Sequence, residues 1–125
     1  MRLLGKIALL SILLAAGFGH SADMDAEIDY LLDSVRNSDC SFVRNGKAHD
    51  SAAAAKHLQM KRKRGRRYYD SAEEFIERIA SSSSWSGEPY RIDCPGQRPV
   101  AARDWFLWKL SALRETGADD RTQRR

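Results

Sequence analysis

The sequence contains little cysteine and little proline, and it lacks a second long apolar run. Its 125 residues include two cysteines and three prolines. No cysteine follows the apolar run at residues 7–18 in the position of a lipid-modified one, and no later apolar stretch is long enough to cross a membrane. We therefore expect a soluble product that is neither lipid-anchored nor membrane-spanning.

Signatures of catalysis and of metal binding are also missing. The two cysteines and three histidines have none of the spacings of a zinc site, and no serine stands in a nucleophile-elbow pattern. The sequence therefore predicts no metal, no cofactor and no assigned catalytic residue.

An export signal, in contrast, is present at the N-terminus. Arg2 and Lys6 lie close to the start of the chain, the apolar run 7–18 follows, and small residues come next. This is the pattern of a cleavable signal peptide. We predict a signal peptide at residues 1–22 and a periplasmic mature protein. Because both cations lie in that segment, its removal lowers the formal charge from +4 to +2.

Both cysteines, Cys40 and Cys94, lie in the predicted mature part. In an oxidising compartment such a pair is expected to form a disulfide. The bond would close a loop of about 55 residues and stabilise a small domain by about 4 kcal/mol. It would also bring the segments around the two cysteines close together.

Hydrophobic periodicity and capping signals predict a mainly α-helical single domain at residues 23–115, with a short two-stranded β element and the disulfide as a staple. Four helices are expected, at 23–38, 50–65, 70–80 and 100–114. The two extended segments are 40–46 and 90–94. The last helix is apolar nearly all round, which predicts a central position. The polar residues 116–125 are predicted to be a disordered tail.

A basic run occupies residues 61–67, where six of seven residues are lysine or arginine. In a cytosolic protein this run would indicate nucleic-acid binding, but export argues against a nucleic-acid partner. Two interpretations remain. The run is a solvated connection between two helices, or it makes weak contact with an anionic surface such as phospholipid headgroups or a cell-wall polymer.

His57 lies within the apolar stripe of the second predicted helix. It is interpreted either as a buried, hydrogen-bonded residue or as a catalytic base acting with a serine of residues 81–86. The catalytic interpretation requires a serine hydroxyl within hydrogen-bonding reach of a solvent-open His57, with an acid behind the imidazole.

Two polar loops are candidate binding surfaces. Arg44 and Asn45 precede Gly46 in a predicted turn, where they suit a carboxylate or a sugar, or where Arg44 pairs with an internal acid. The loop at 81–90 supplies the further candidates Ser84, Trp85, Ser86, Gly87 and Tyr90. Trp85 is interpreted either as an exposed anchor for a ligand or as a lid over the core.

Four separated motifs resemble the YfeK-like family of small exported bacterial proteins. They are CSFVRNG at 40–46, AAKHL at 54–58, SAEEFI at 71–76 and ASSSSWSGEPY at 80–90. The resemblance implies a periplasmic protein of a Gram-negative cell, with no established activity. It also directs attention to the polar residues inside the motifs, which include Arg44, Asn45, His57 and Tyr90.

Three hypotheses of function follow. The first is a non-enzymatic binding or accessory protein that recognises a partner protein or a cell-wall fragment through the two polar loops. The second is a hydrolase of envelope polymers that uses His57 and a serine of 81–86. The third is an immunity or inhibitor protein, for which no motif selects.

Overall fold

The computed structural model describes residues 20–124. The predicted signal peptide lies outside this range, apart from residues 20–22 at the start of the first helix. The helices are α1 (His20–Arg36), α2 (Ser51–Arg64), α3 (Ala72–Phe75) and α4 (Ala102–Gln123), with a π-helical turn at Ile76–Ala80 directly after α3. The strands are β1 (Ser41–Arg44), β2 (Lys47–His49), β3 (Arg91–Asp93) and β4 (Val100–Ala101).

Local capping sets both ends of α2 where the sequence predicts them. The Asp50 carboxylate accepts a hydrogen bond from the Ala53 N–H at 2.7 Å, and the Gly65 N–H donates to the Lys61 carbonyl at 2.8 Å. Gly65 also permits a close approach, since a Cβ at this position would collide with Cδ1 of Ile79. Helix α2 and the π-helical turn are therefore in direct contact here.

The four strands form one antiparallel sheet in the order β2-β1-β3-β4. The predicted pairing of 40–46 with 90–94 is confirmed, because Phe42 lies opposite Ile92 and Cys40 is bonded to Cys94. Strands β2 and β4 widen the predicted pair into a four-stranded sheet. The short loop between β1 and β2 carries Asn45 and Gly46, both at positive φ (50° and 77°), as a tight two-residue hairpin turn requires.

The core lies between the sheet and the helices. Its largest fully buried side chains come from every layer: Ile28, Leu31, Phe42, Leu58, Tyr69, Phe75, Ile76 and Phe106. Arg114 of α4 joins α1 and α3, because its guanidinium bonds the carboxylates of Glu27 and Glu73 at 2.7–3.0 Å. The mainly α-helical, disulfide-stapled fold predicted from the sequence is confirmed.

Helix α4 differs from the prediction in two ways. It is not central, because Trp108 is 67% exposed while Trp105, Phe106 and Leu110 are buried. A domain of about a hundred residues has no further layer to cover its second face. The helix also continues to Gln123, so most of the predicted disordered tail is helical. Neither a proline nor a capping residue interrupts it, and a lone Gly117 does not suffice to end it.

Within residues 20–124, no helix has the length and apolar character needed to cross a membrane.

Candidate binding site

A cavity of about 710 Å³ opens beside α2, between the β1–β2 turn and the loop that follows the π-helical turn. It is lined by Arg44, Asn45, His57, Met60, Lys61, Arg64, Gly65, Tyr68, Arg78, Ile79, Ser83, Ser84, Trp85 and Tyr90. Six of the eight residues proposed from the sequence are in this set. The structure thus brings the two predicted polar loops and His57 to one place.

The two loops are joined by hydrogen bonds around Asn45. Its side-chain amide donates to the Ser83 hydroxyl at 3.3 Å, and its amide oxygen accepts from the Ser86 hydroxyl at 2.5 Å. The Ser83 hydroxyl also accepts from the backbone N–H groups of Trp85 and Ser86 at 3.2 and 3.1 Å. Asn45 and Ser86 therefore hold the loop in position behind the cavity.

The loop itself is a tight turn that holds Trp85 outward. The Gly87 N–H donates to the Ser83 carbonyl at 2.9 Å, and Gly87 has a φ of 75°. Trp85 is 90% exposed, so the interpretation of this residue as a lid over the core is wrong. Ser86 and Gly87 shape the loop but do not line the cavity.

Lys61 is the buried cation of the site. Only 8% of the residue is exposed, and its Nζ donates to the Ser82 carbonyl at 2.7 Å and to the Tyr90 hydroxyl at 3.0 Å. The same atom lies 4.7 Å from the centroid of the Tyr90 ring. Burial, and after it the nearby Arg44, lower the pKa of Lys61 to about 8. No carboxylate is among its contacts in the described part of the chain.

His57 is half-buried, and its Nε2 lies 3.5 Å from the Tyr90 hydroxyl. The pKa of His57 is lowered to about 4, first by burial and then, in decreasing order, by the charges of Arg44, Lys61, His49 and Arg64. The charged groups that face the ring are therefore all cations. At neutral pH the imidazole is uncharged.

Arg44 completes the positive character of the cavity. Its Nε is buried and has no hydrogen-bond partner among the described residues, while one terminal nitrogen lies 3.3 Å from Nδ1 of His49. The predicted pairing of Arg44 with an internal acid is therefore absent in this part of the chain. Arg64 adds a further guanidinium group to the lining, as does Arg78, whose charge is paired with Glu74 at 3.1 Å. No aspartate or glutamate is among the lining residues described.

The arrangement needed for the hydrolase hypothesis is not assembled. None of the hydrogen bonds that His57 makes within residues 20–124 involves a serine. The Ser81 hydroxyl instead donates to the Ile76 carbonyl. The Ser83 hydroxyl accepts hydrogen bonds from Asn45 and from backbone N–H groups of its own loop. No acid stands behind the imidazole, and no group of three or more His, Cys, Asp or Glu side chains in this range could hold a metal ion.

Lys61 is not identified as a site residue from the sequence. It belongs to the basic run 61–67, which is interpreted there as a solvated connection between two helices. A usable signal exists in its spacing. Lys61 lies seven residues after the buried Ala54 and three after the buried Leu58, and residues at such intervals share one face of a helix. The run therefore has a buried member as well as exposed ones.

Comparison with known proteins places the chain in a family. A model of the family of unknown function DUF5329 matches residues 22–114. The chain belongs to the DUF5329 family. The chain is also 39% identical over 85 residues to the uncharacterized protein YfeK of Salmonella typhimurium. This match covers 67% of this chain and 71% of that protein. No solved structure matches the chain.

The match to DUF5329 confirms the resemblance to YfeK-like proteins inferred from the four motifs. Three of those motifs supply cavity residues, namely Arg44 and Asn45 from the first, His57 from the second, and Ser83, Ser84, Trp85 and Tyr90 from the last. Three of the four motifs therefore converge on the cavity.

The lowered pKa of His57 leads to a first testable result. Between pH 6.5 and about 4 the unfolded chain takes up a proton at this position that the folded chain does not, so stability falls as the pH falls through this window. One such group contributes at most about 1.4 kcal/mol per pH unit. We expect the His57→Gln variant to lose part of this slope when urea unfolding is compared at pH 7, 6 and 5. Equal slopes in both proteins would contradict the buried, neutral histidine.

Proposed function

We propose that this chain is a non-enzymatic binding protein of the cell envelope and that its cavity holds the anionic group of a ligand. The observation that carries the proposal is the set of buried or half-buried cations at the cavity, Arg44 and Lys61, without a carboxylate among the described lining residues. Withdrawing positive charge from water is costly unless it is compensated. A bound anion supplies that compensation through charge-assisted hydrogen bonds.

The donors available to an anion are chemically distinct. The Arg44 guanidinium lines the cavity, and its buried Nε has no partner among the described residues. The Lys61 ammonium uses two of its three protons on Ser82 and Tyr90. Because Lys61 occupies the Tyr90 oxygen as an acceptor, the Tyr90 proton is directed away from it, toward His57 or a ligand. The part of the cavity lined by Arg44, Lys61 and Tyr90, here called its deep end, thus offers several hydrogen-bond donors and a positive potential.

The remaining walls favour a ligand with an apolar body. Met60 and Ile79 contribute aliphatic surface, and Tyr68 and Trp85 contribute aromatic rings. Sites for small ligands combine such surface with a few polar groups that fix orientation. The two ligands considered from the sequence are a cell-wall fragment and a partner protein. A cell-wall peptide and an acidic segment of a protein both carry carboxylates that suit the cations of the cavity.

The compartment is part of the proposal. The Cys40–Cys94 disulfide is typical of proteins outside the cytoplasm, and the sequence begins with the pattern of a signal peptide. Both features support an exported protein that works in the periplasm.

Titration with small aromatic probes tests the binding proposal. We expect phenyl phosphate and benzoate to cause saturable NMR shifts of the His57 imidazole and the Trp85 indole, and to raise the pKa of His57 from about 4. Benzyl alcohol and benzylamine, which have the same ring without a negative charge, should bind at least tenfold more weakly, as expected for the loss of a charge-assisted contact.

Two arginine variants serve as a matched pair for this titration. Arg44→Met is expected to weaken phenyl phosphate binding at least tenfold, whereas Arg98→Met, at an exposed position outside the cavity, should leave binding unchanged. Equal affinity of all four probes, or of the Arg44→Met variant and the parent, would refute an anion site.

A further inference from the structure

We propose that the anion is the headgroup of an acidic phospholipid and that the mouth of the cavity is a surface that docks on an anionic membrane. The inference rests on the proposed function, since it names the ligand class of the same cavity. It draws on the apolar side chains at the mouth and on the basic residues beside it.

The exposed apolar side chains are concentrated at the mouth. Five large hydrophobic residues are exposed in the described part of the chain, and three of them line the cavity, namely Met60, Tyr68 and Trp85 at 36%, 52% and 90%. They come from α2, from the turn after it and from the loop at 81–90. Tryptophan and tyrosine are the residues that proteins place at the membrane–water interface.

Trp85 argues most strongly for a surface partner. A ligand confined to the cavity would be expected to find its aromatic walls inside the pocket, but 90% of Trp85 is in water. The backbone of the loop that carries it is held by Ser83 and Asn45, so the loop presents the ring outward. An exposed tryptophan on a well-held loop next to an anion site is suited to insertion among lipid headgroups.

Basic residues continue from the mouth along α2. A second concave surface shares Met60 and Arg64 with the cavity and is further lined by Arg36, Lys56 and Lys63. No acidic residue is among the lining residues of either surface. Arg36 is paired with Asp33, but Lys56, Lys63 and Arg64 still make the positive surface wider than one small anion needs, and this surface complements a layer of anionic headgroups.

The basic run is divided between two environments. Arg62 turns toward α1 and bonds Asp29 at 2.6 Å and Asp25 at 3.3 Å. Arg67, in contrast, stacks on Tyr68, with its guanidinium carbon 4.9 Å from the ring centroid. Arg62 is neutralised within the fold, whereas Lys63, Arg64 and Arg67 are exposed beside the aromatic residues. Apolar insertion and basic attraction together are what reversible membrane binding requires.

Vesicle binding tests the membrane proposal directly. The experiment uses the folded mature protein with its disulfide intact. We expect the protein to sediment with vesicles of phosphatidylglycerol and phosphatidylethanolamine and not with vesicles of phosphatidylcholine alone. Trp85 emission should shift to the blue on binding, and binding should weaken as salt is raised. Soluble glycerol 1-phosphate, the headgroup without its acyl chains, should compete only weakly.

Paired substitutions separate the contributions. Trp85→Ala is expected to weaken vesicle binding at least tenfold, while Trp108→Ala, which removes another exposed tryptophan, from α4, should not change it. Lys63→Gln should cost about fivefold. Arg44→Met, inside the cavity, should reduce binding to phosphatidylglycerol vesicles and the affinity for glycerol 1-phosphate together.

The remaining outcomes distinguish the anion-site proposal from the membrane proposal. Phenyl phosphate binding without vesicle binding would overturn the membrane proposal and leave the anion site, with a soluble cell-wall fragment or acidic peptide as its ligand. Vesicle binding that is insensitive to Arg44→Met would overturn the placement of a headgroup in the cavity. If the parent protein bound neither phenyl phosphate nor vesicles, the anion site would be overturned as well.

Discussion

Replacing Cys40 and Cys94 together with alanine is expected to lower the free energy of unfolding by about 4 kcal/mol. The two residues are 54 positions apart in sequence, and the disulfide restricts the unfolded chain over that whole loop. It also joins β1 to β3 next to the Ser41–Asp93 pair. A loss of this size is a large fraction of the stability of a small domain. The measurement is urea unfolding of the parent and the double variant, followed by circular dichroism.

Two controls accompany this experiment. The parent protein treated with a reductant should lose a similar amount of stability, and Ser41→Ala, directly after Cys40 at the start of β1, should change it little. An unchanged unfolding midpoint in the double variant would mean that the β1–β3 pairing holds the two segments without covalent help. The loss should also affect the cavity, because Tyr90, a hydrogen-bond partner of Lys61, immediately precedes β3.

Helix α2 and the β1–β3 pair could be predicted because their determinants are local or covalent. Asp50 and Gly65 act within a turn of the helix ends they cap, and the disulfide fixes which two extended segments meet. Strands β2 and β4 are three and two residues long. Segments this short show too little alternation to be distinguished from turns, and only their pairing partners define them.

The candidate residues of the site could be identified from the sequence, but their arrangement could not. Arg44, Asn45 and the loop residues stand out as polar side chains in turns, where binding residues are common. That Asn45 reaches Ser83 and Ser86, 38 and 41 residues later, is a tertiary contact without a local signal. The composition of residues 61–67 likewise gives their charges but not the direction of each side chain. Lys61 turns inward, whereas Lys63 and Arg64 are exposed.

That inward turn leads to the second large expected effect. Lys61→Met is expected to make the protein more stable by about 1–2 kcal/mol at pH 7 while it lowers the affinity for phenyl phosphate at least a hundredfold. Methionine fills a similar volume without a charge, and replacing buried charge by a matched apolar side chain is often neutral or stabilising. The loss of hydrogen bonds to Ser82 and Tyr90 offsets part of the gain. Opposite effects on stability and binding would identify Lys61 as a residue retained for its ligand.

The pH dependence gives this prediction an independent readout. The pKa of Lys61 is about 8 in the folded chain and 10.5 in its ordinary state. Between these values the unfolded chain holds a proton that the folded chain has lost, so the contribution of Lys61 makes stability rise with pH. The variant lacks this rise, and its advantage over the parent should be largest below pH 8 and disappear toward pH 10.5. Arg44 and Tyr90 face the ammonium group and are present in both proteins, so the difference between the two pH profiles reports Lys61 together with its interactions with them.

Lys63→Met is the matched control, since Lys63 lies on the same helix but is exposed. Its stability should stay within about 0.5 kcal/mol of the parent at every pH, and its phenyl phosphate affinity should be nearly unchanged. If Lys61→Met instead lost stability and kept its affinity, Lys61 would be a structural residue that holds Ser82 and Tyr90 in place, and the charge at the bottom of the cavity would have to be assigned to Arg44 alone.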